Sequence, residues 1–328
     1  MKDAFGRKID YMRISVTDRC DLRCLYCMPE GGIEKLPMDR LLTYEEIVRI
    51  SRAAAALGIT RLKITGGEPL VRKGCPDLIR SLREIPGIEQ VTLTTNGQQL
   101  VRHLDALLAA GLDAVNISLD SLRADRYRLI TRGGELDAVL EAVSAAKEAG
   151  LRTKINCLPM SGLNEDEIED FAAFAFDNGL DVRFIEIMPV GFGRPDEGVS
   201  NTAVLERLQK AFPDLEEDDA VHGNGPAVYY RRPGQNGAVG LISAMHGIFC
   251  SSCNRIRLTS TGRIKPCLCY EDSVDLLPAL ALDKAVSETC TKALEESLRT
   301  AVLAKPAAHC FTEQPQAAEP KSMSEIGG

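Results

Sequence analysis

Apolar residues fall into short runs centred on Ile14, Ile64, Leu93, Ile117, Ile155 and Ile185. Stretches with apolar residues at helical spacing follow them, clearest over residues 45–57 and 136–149. Buried runs alternating with amphipathic stretches predict βα units, and such units in series predict a parallel sheet joined by right-handed crossovers. Six units predict an incomplete barrel; an eight-unit barrel or an open sheet is the alternative, but Ile185 is the last clear repeat. Beyond it, residues 191–195 and the acidic stretch 213–219 read as loop and linker. Tyr229-Tyr230-Arg231 and Val239-Gly240-Leu241-Ile242 then read as strands, and residues 285–303 as a helix. Residues 312–324, rich in Pro, Ala, Glu and Ser, read as chain without regular structure. The organisation expected is α/β, with a partial barrel over residues 1–195, an α+β extension over 196–311 and a flexible tail over 312–328.

In barrels the ligand groups gather at the C-terminal ends of the strands. Cys20 follows the first strand, Gly66-Gly67-Glu68-Pro69 the second, Thr94-Thr95-Asn96-Gly97 the third and Ser118-Leu119-Asp120 the fourth. Lys154 lies in the fifth, and residues 183–188 mark the sixth.

A chain of 328 residues, 45% of them hydrophobic, can bury one large core with an appended domain, or two domains. No apolar run approaches the roughly 18 residues that span a bilayer, and residues 1–8 lead into no signal-like segment, so a cytoplasmic protein is expected. A net charge of -8 argues against unspecific attraction to nucleic acid or to an anionic membrane. An anionic substrate would then need a local basic pocket. The 11 cysteines argue for metal ligation in a reducing compartment, because most of them fall into two short groups. Cys75, Cys157, Cys290 and Cys310 are scattered singly and read as packing. His103, His222, His246 and His309 have no metal spacing and read as surface or packing residues.

Cys20, Cys24 and Cys27 sit within eight residues. Thiolates so close can converge on one centre: a 4Fe-4S cluster with one iron open, a zinc ion awaiting a distant ligand, or no metal at all. The spacing Cys-x3-Cys-x2-Cys, with Tyr26 before its last cysteine, resembles the radical S-adenosylmethionine (radical SAM) superfamily. The resemblance implies a partial barrel, a cluster on Cys20, Cys24 and Cys27, and SAM chelated at the open iron. Gly66-Gly67-Glu68-Pro69 matches the superfamily motif that receives the amino group of SAM, and by the same resemblance Tyr26, Gly67, Ser118 and Met188 bind the cofactor. Read without the resemblance, the glycines and proline are a strand-to-loop turn.

The second group is Cys250 and Cys253, then Cys267 and Cys269 behind a short hairpin. Two cysteine pairs on a small β-rich extension also suit structural zinc. Cys250-x2-Cys253-Asn254-Arg255-Ile256-Arg257, Cys267 and the terminal Gly327-Gly328, taken with the first motif, resemble the GTP 3',8-cyclases of molybdenum-cofactor biosynthesis over almost the full chain. This resemblance implies a second 4Fe-4S cluster on Cys250, Cys253 and Cys267, catalytic Arg255, Arg257, Gly327 and Gly328, and GTP as substrate. Contacts to GTP are expected from Arg13, Lys63, Thr94, Lys154, Arg183, Arg255, Ile256 and Arg257, since a triphosphate demands cations. Two departures stand out: Lys63 replaces the arginine of many relatives, and Cys269 is a thiol that relatives usually lack, so a fourth thiolate could close the second site or select zinc. The resemblance also implies an external electron donor, a downstream cyclic pyranopterin monophosphate synthase, and a monomer or homodimer. The competing readings are a radical SAM enzyme that modifies a peptide and a non-catalytic metal-binding protein.

Overall fold

The computed structural model describes residues 1–247, 249–282, 288–311 and 319–327. Each of the six apolar runs is a strand: β1 (Tyr11–Ser15), β2 (Arg61–Thr65), β3 (Gln90–Thr95), β4 (Ala114–Ser118), β5 (Arg152–Cys157) and β6 (Asp181–Ile185). They pair in sequence order and in parallel. Between them run α1 (Tyr44–Ala56), α2 (Cys75–Arg83), α3 (Leu100–Ala109), α4 (Ala124–Thr131), α5 (Leu136–Glu148) and α6 (Ile168–Asn178). Helix α1 starts at a capping box in which the Thr43 side chain accepts from Glu46 N and the Glu46 side chain from Thr43 N.

Strand side chains alternate between the two faces of the sheet. Met12, Ile14, Leu62, Ile64, Val91, Leu93, Val115, Ile117, Ile155, Val182 and Phe184 take the outer face and are fully buried in the core beneath the helices. The other face is turned inward and is mostly polar. A parallel strand covered on both sides usually reads as a continuous apolar run, so this polar half marks an interior built to hold something other than a core.

The extension does not form a separate sheet. After α7 (Asn201–Ala211) come β7 (Glu216–Asp218), β8 (Val228–Arg231), β9 (Ala238–Ile242), β10 (Arg255–Leu258), β11 (Arg263–Lys265) and β12 (Val274–Asp275). Strand β9 pairs in parallel with β6 and β10 in parallel with β1, so the barrel grows at both edges. The full order is β12-β11-β10-β1-β2-β3-β4-β5-β6-β9-β8-β7. Helices α8 (Leu277–Ala281) and α9 (Glu288–Leu303) follow, and α9 packs on α1 and α8.

Three local expectations change. Residues 213–219, read as linker, contain β7, whose acidic side chains face solvent or pair with Arg231. The helix expected over residues 285–303 is described from Glu288, its first three positions lying outside the described residues. Residues 319–326, expected to lack regular structure, pair with Val190 through Glu319 and form the one-turn helix α10 (Met323–Ile326), closed by a Ser322–Glu325 capping box. Residues 312–318 of that stretch lie outside the described residues.

Candidate active site

The inward residues form a ladder across the sheet. Register places Arg257, Arg13 and Lys63 side by side on β10, β1 and β2. Farther round, Lys154 on β5 stands beside Asn116 and Asp181, and Arg183 on β6 beside Asn156. Lys154 lies within the fifth strand as the sequence reading has it, and Lys63 and Arg183 likewise lie within their strands and project into the interior. Ile256 does not join them, because alternation sends its side chain outward into the apolar core.

Two cavities of about 320 Å³ and 260 Å³ share walls at Arg13, Thr94, Asn156 and Arg255 and form one continuous interior. Lys63, Lys154 and Arg183 line the lower part, which residues 220–227 close from below. There His222 bridges Asp181 and Asp218 at 3.0 and 2.9 Å and stacks on Tyr229. Asp181 also pairs with Lys154 at 2.5 Å, and the Tyr229 hydroxyl accepts from the same ammonium at 2.9 Å.

Six buried or half-buried cations gathered in one interior repel one another. Burial pushes Lys63 well below the ordinary lysine value, with Arg183 and Arg13 adding to the effect. Burial likewise lowers Lys154 to about 8 despite Asp181, and Arg13 to about 10. Arg183 Nε and Arg255 Nε are buried with no hydrogen-bond partner. Such a set is costly unless an anion with many acceptor oxygens fills it.

Both cysteine groups line the upper part of the cavity. Cys20, Cys24 and Cys27 hang on the loop after β1, which the loop after β2 grips: Gly67 N donates to Thr17 O and Glu68 N to Arg19 O, each at 2.8 Å. The Glu68 carboxylate accepts from Leu70 N, Thr95 Oγ1 and Asn96 N, while Tyr26 donates to Asp120 at 2.7 Å. Thr94, Ser118 and Met188 line the same wall. Burial pushes Cys20 up to about 12 and Cys27 up to about 11, Ser324 of the tail partly offsetting the latter by hydrogen bonding.

Cys250, Cys253 and Cys267 lie opposite, on the 3-10 turn before β10 and on the chain after β11. Cys253 behaves unlike the first group: burial raises its thiol, but the charges of Arg255 and Lys305 outweigh that and hold it below the ordinary value. Cys269 turns to Cys310, Sγ to Sγ 2.9 Å, and both are buried. Gly327 reaches the interior from the tail, its carbonyl accepting from Arg257 Nη1 at 2.8 Å. Gly328 lies outside the described residues.

Each group brings three thiols to the lining of the same cavity, and thiolates are the donors that hold iron–sulfur clusters. Buried thiols with raised values lose their protons to a metal, which binds the thiolate.

Sequence reasoning missed Lys305, Arg7 and the Lys265–Glu319 pair, which secure the loops around this cavity. A lone charged residue far from a motif carries no spacing signal.

Comparison with known proteins accounts for nearly the whole chain. Residues 14–175 match the family described as the Radical SAM superfamily, and residues 180–311 match Molybdenum Cofactor Synthesis C. A protein named GTP 3',8-cyclase from Alkaliphilus metalliredigens is 45% identical over 100% of both chains. Proteins of the same name from Geobacter sulfurreducens and Listeria monocytogenes are 44% and 40% identical, covering 99% or more of each chain. Among solved structures, Streptococcus suis SuiB superposes with a TM-score of 0.64 at 14% identity, over 98% of this chain and 76% of that one. The protein anSMEcpe with bound AdoMet superposes with a TM-score of 0.57 at 15% identity, over 87% of this chain and 80% of that one. At such identities these two likenesses speak for the fold.

Proposed function

Because this chain belongs to the GTP 3',8-cyclase family, a branch of the radical SAM superfamily, we infer that it cyclises GTP, the first step of molybdenum-cofactor biosynthesis. The observation that carries the reading is one interior with three thiols at each side of its mouth and six cations below. Clusters on Cys20, Cys24, Cys27 and on Cys250, Cys253, Cys267 would supply, respectively, reductive cleavage of SAM to methionine and a 5'-deoxyadenosyl radical, and an iron face for guanine.

The chain's own part is to bind, orient and exclude water. Glu68 offers the ammonium of SAM a carboxylate, and Gly67, lacking a side chain, lets the loop after β2 lie directly against the loop that carries the first cysteines. Tyr26, Ser118 and Met188 border the space for its adenosine. The guanidinium forks of Arg13, Arg183, Arg255 and Arg257 and the ammonium groups of Lys63 and Lys154 suit the phosphate oxygens of GTP. Held so, ribose C3' faces the SAM side. Hydrogen abstraction there leaves a C3' radical, which adds to guanine C8; one electron and one proton then give 3',8-cyclo-7,8-dihydro-GTP. Gly327, beside Arg257, closes the space in which the radical exists.

An external one-electron donor, a downstream cyclic pyranopterin monophosphate synthase and a cytoplasmic place complete the proposal. Among the described residues no helix is long and apolar enough to cross a membrane.

The test is an anaerobic assay with iron and sulfide analysis. Two clusters per chain, with 5'-deoxyadenosine and cyclic product formed together from GTP, are expected. Zinc at either group, or SAM cleavage indifferent to GTP, would overturn the reading.

A further inference from the structure

Lys305 stands just beyond α9, where Ala304 N and Lys305 N still donate to Thr300 O and Val302 O. Its ammonium therefore lies near the C-terminal, partially negative end of a helix of 16 residues. Its backbone is fixed from outside by Arg7, which donates to the carbonyls of Pro306 and Ala307 and also to that of Cys250. One arginine thus ties the Lys305 segment to the first ligand of the second group.

The Lys305 side chain is 3% exposed, and among the described residues no carboxylate pairs with it. Its Nζ donates to Arg255 O at 2.8 Å and Pro266 O at 2.7 Å, and its charge lies close enough to the Cys253 thiol to lower that thiol's value. Arg255 lies two positions past Cys253, and Pro266 immediately precedes Cys267. An ammonium has three donors. Two of them are engaged by these carbonyls, whereas the neighbouring Arg255 has an unpartnered Nε. A buried cation without a carboxylate is unfavourable by itself, and the anionic charge able to offset it here is that of the ligated sulfurs.

The first group has opposite surroundings: Asp21, Glu68 and Asp120 place carboxylates around Cys20 and Cys24. Positive charge and hydrogen bonds to sulfur favour the reduced, more negative state of a cluster, whereas nearby negative charge disfavours it.

We propose that Lys305 sets the potential of the second cluster, its buried ammonium against the Cys253 sulfur making that cluster easier to reduce than the one on Cys20, Cys24 and Cys27. The inference rests on the two-cluster reading of the site. Lys305 is a positioning and charge-setting residue and touches no reacting atom.

The experiment is a redox titration of the fully loaded protein followed by electron paramagnetic resonance, comparing the intact chain with Lys305→Gln and Lys305→Arg. Iron and sulfide analysis of the intact chain comes first, because a single cluster or zinc there would defeat the two-cluster reading and leave Lys305 out of the question. Glutamine keeps donors for the two carbonyls but removes the charge. In Lys305→Gln the reduced fraction of the second cluster at fixed potential should fall about tenfold, equivalent to about 59 mV for one electron, while the first cluster stays put. Arginine should restore most of it. Loss of the second cluster in Lys305→Gln but not in Lys305→Arg would equally support the charge requirement. An unmoved potential in Lys305→Gln, equal shifts of both clusters, or cluster loss in both variants would overturn the proposal.

Discussion

On the proposed function the buried carboxylate of Glu68 receives the ammonium group of SAM, and to do so it must be ionised. Burial raises it to about 7 even though three donors converge on it. Its folded value exceeds the unfolded one, so the folded apo chain holds the proton more tightly and loses stability as pH rises from about 4.5 to 7. Docking of the SAM ammonium reverses this preference. Calorimetric titration should find SAM binding to the cluster-loaded protein strengthening as pH rises toward 7 and levelling above it. The gain per pH unit is bounded at about tenfold for one proton. Glu68→Gln should bind SAM weakly with a flat pH profile between those limits, and an unchanged profile would remove Glu68 from the ammonium site.

Cys269 makes a second case. The sequence leaves open whether this additional thiol closes the second site, and side-chain direction favours the reading that it is a bystander. Its sulfur faces Cys310 and also accepts from Cys310 N at 3.2 Å. Cys269→Ser should retain the iron and sulfide of both clusters and most of the cyclisation rate; loss of about four irons, one cluster's worth, would make it a ligand. The six proposed cluster cysteines were legible because metal sites impose spacing. The six cations were legible as residues, but their inward projection from mid-strand depends on register, which no local pattern fixes.

The loops after β1 and β2 work as an interlocked pair. A Cβ at Gly67 would overlap the backbone carbonyls of Arg19 and Asp18, and neither is a flexible side chain that can swing aside. Gly67→Ala should therefore push the two loops apart, costing about 1–3 kcal/mol, seen as a lower melting temperature together with weaker SAM binding. Retained affinity would mean that the loops tolerate separation. The tail makes an equally close approach: Gly327 has φ +81°, and a Cβ there would come within 2.9 Å of Ser15 Cβ. Deleting Gly327-Gly328, or extending the chain past them, should lower cyclic product strongly while both clusters and GTP binding persist. Cyclisation at the intact rate would make the tail a spectator. Strands β1 to β6 were readable because one face of each is mostly apolar, whereas β7 is Glu-Glu-Asp and is a strand only through its pairing with β8. Helix α10 is a single turn, too short for periodicity to register, and its capping box is the signal that could have revealed it.

Charge is distributed unevenly: net -8 for the chain, yet six cations gather in the interior, where Asp181 pairs with Lys154. An anionic substrate is drawn in by field and held by forks. Raising ionic strength should raise the KM for GTP more than the dissociation constant of SAM, which docks beside Glu68. Arg183→Ala should raise that KM by about tenfold or more, the loss of one charge-assisted contact. Equal salt sensitivity of the two ligands would argue against a phosphate site in the lower cavity.

The order of strands has a consequence for how the chain comes to be folded. Strand β1 is made first, but its Tyr11 pairs with Arg255 of β10, which comes 244 positions later, and β6 waits over a shorter interval for β9. Until then a nascent sheet of six parallel strands presents both of its edges, unpaired, to any other chain. Pairings so distant in sequence form slowly, since loop closure precedes any gain from contact. Residues 1–195 released alone would retain those bare edges and associate with one another. The segment carrying the second cysteine group is thus also what makes the newly synthesised sheet safe from self-association.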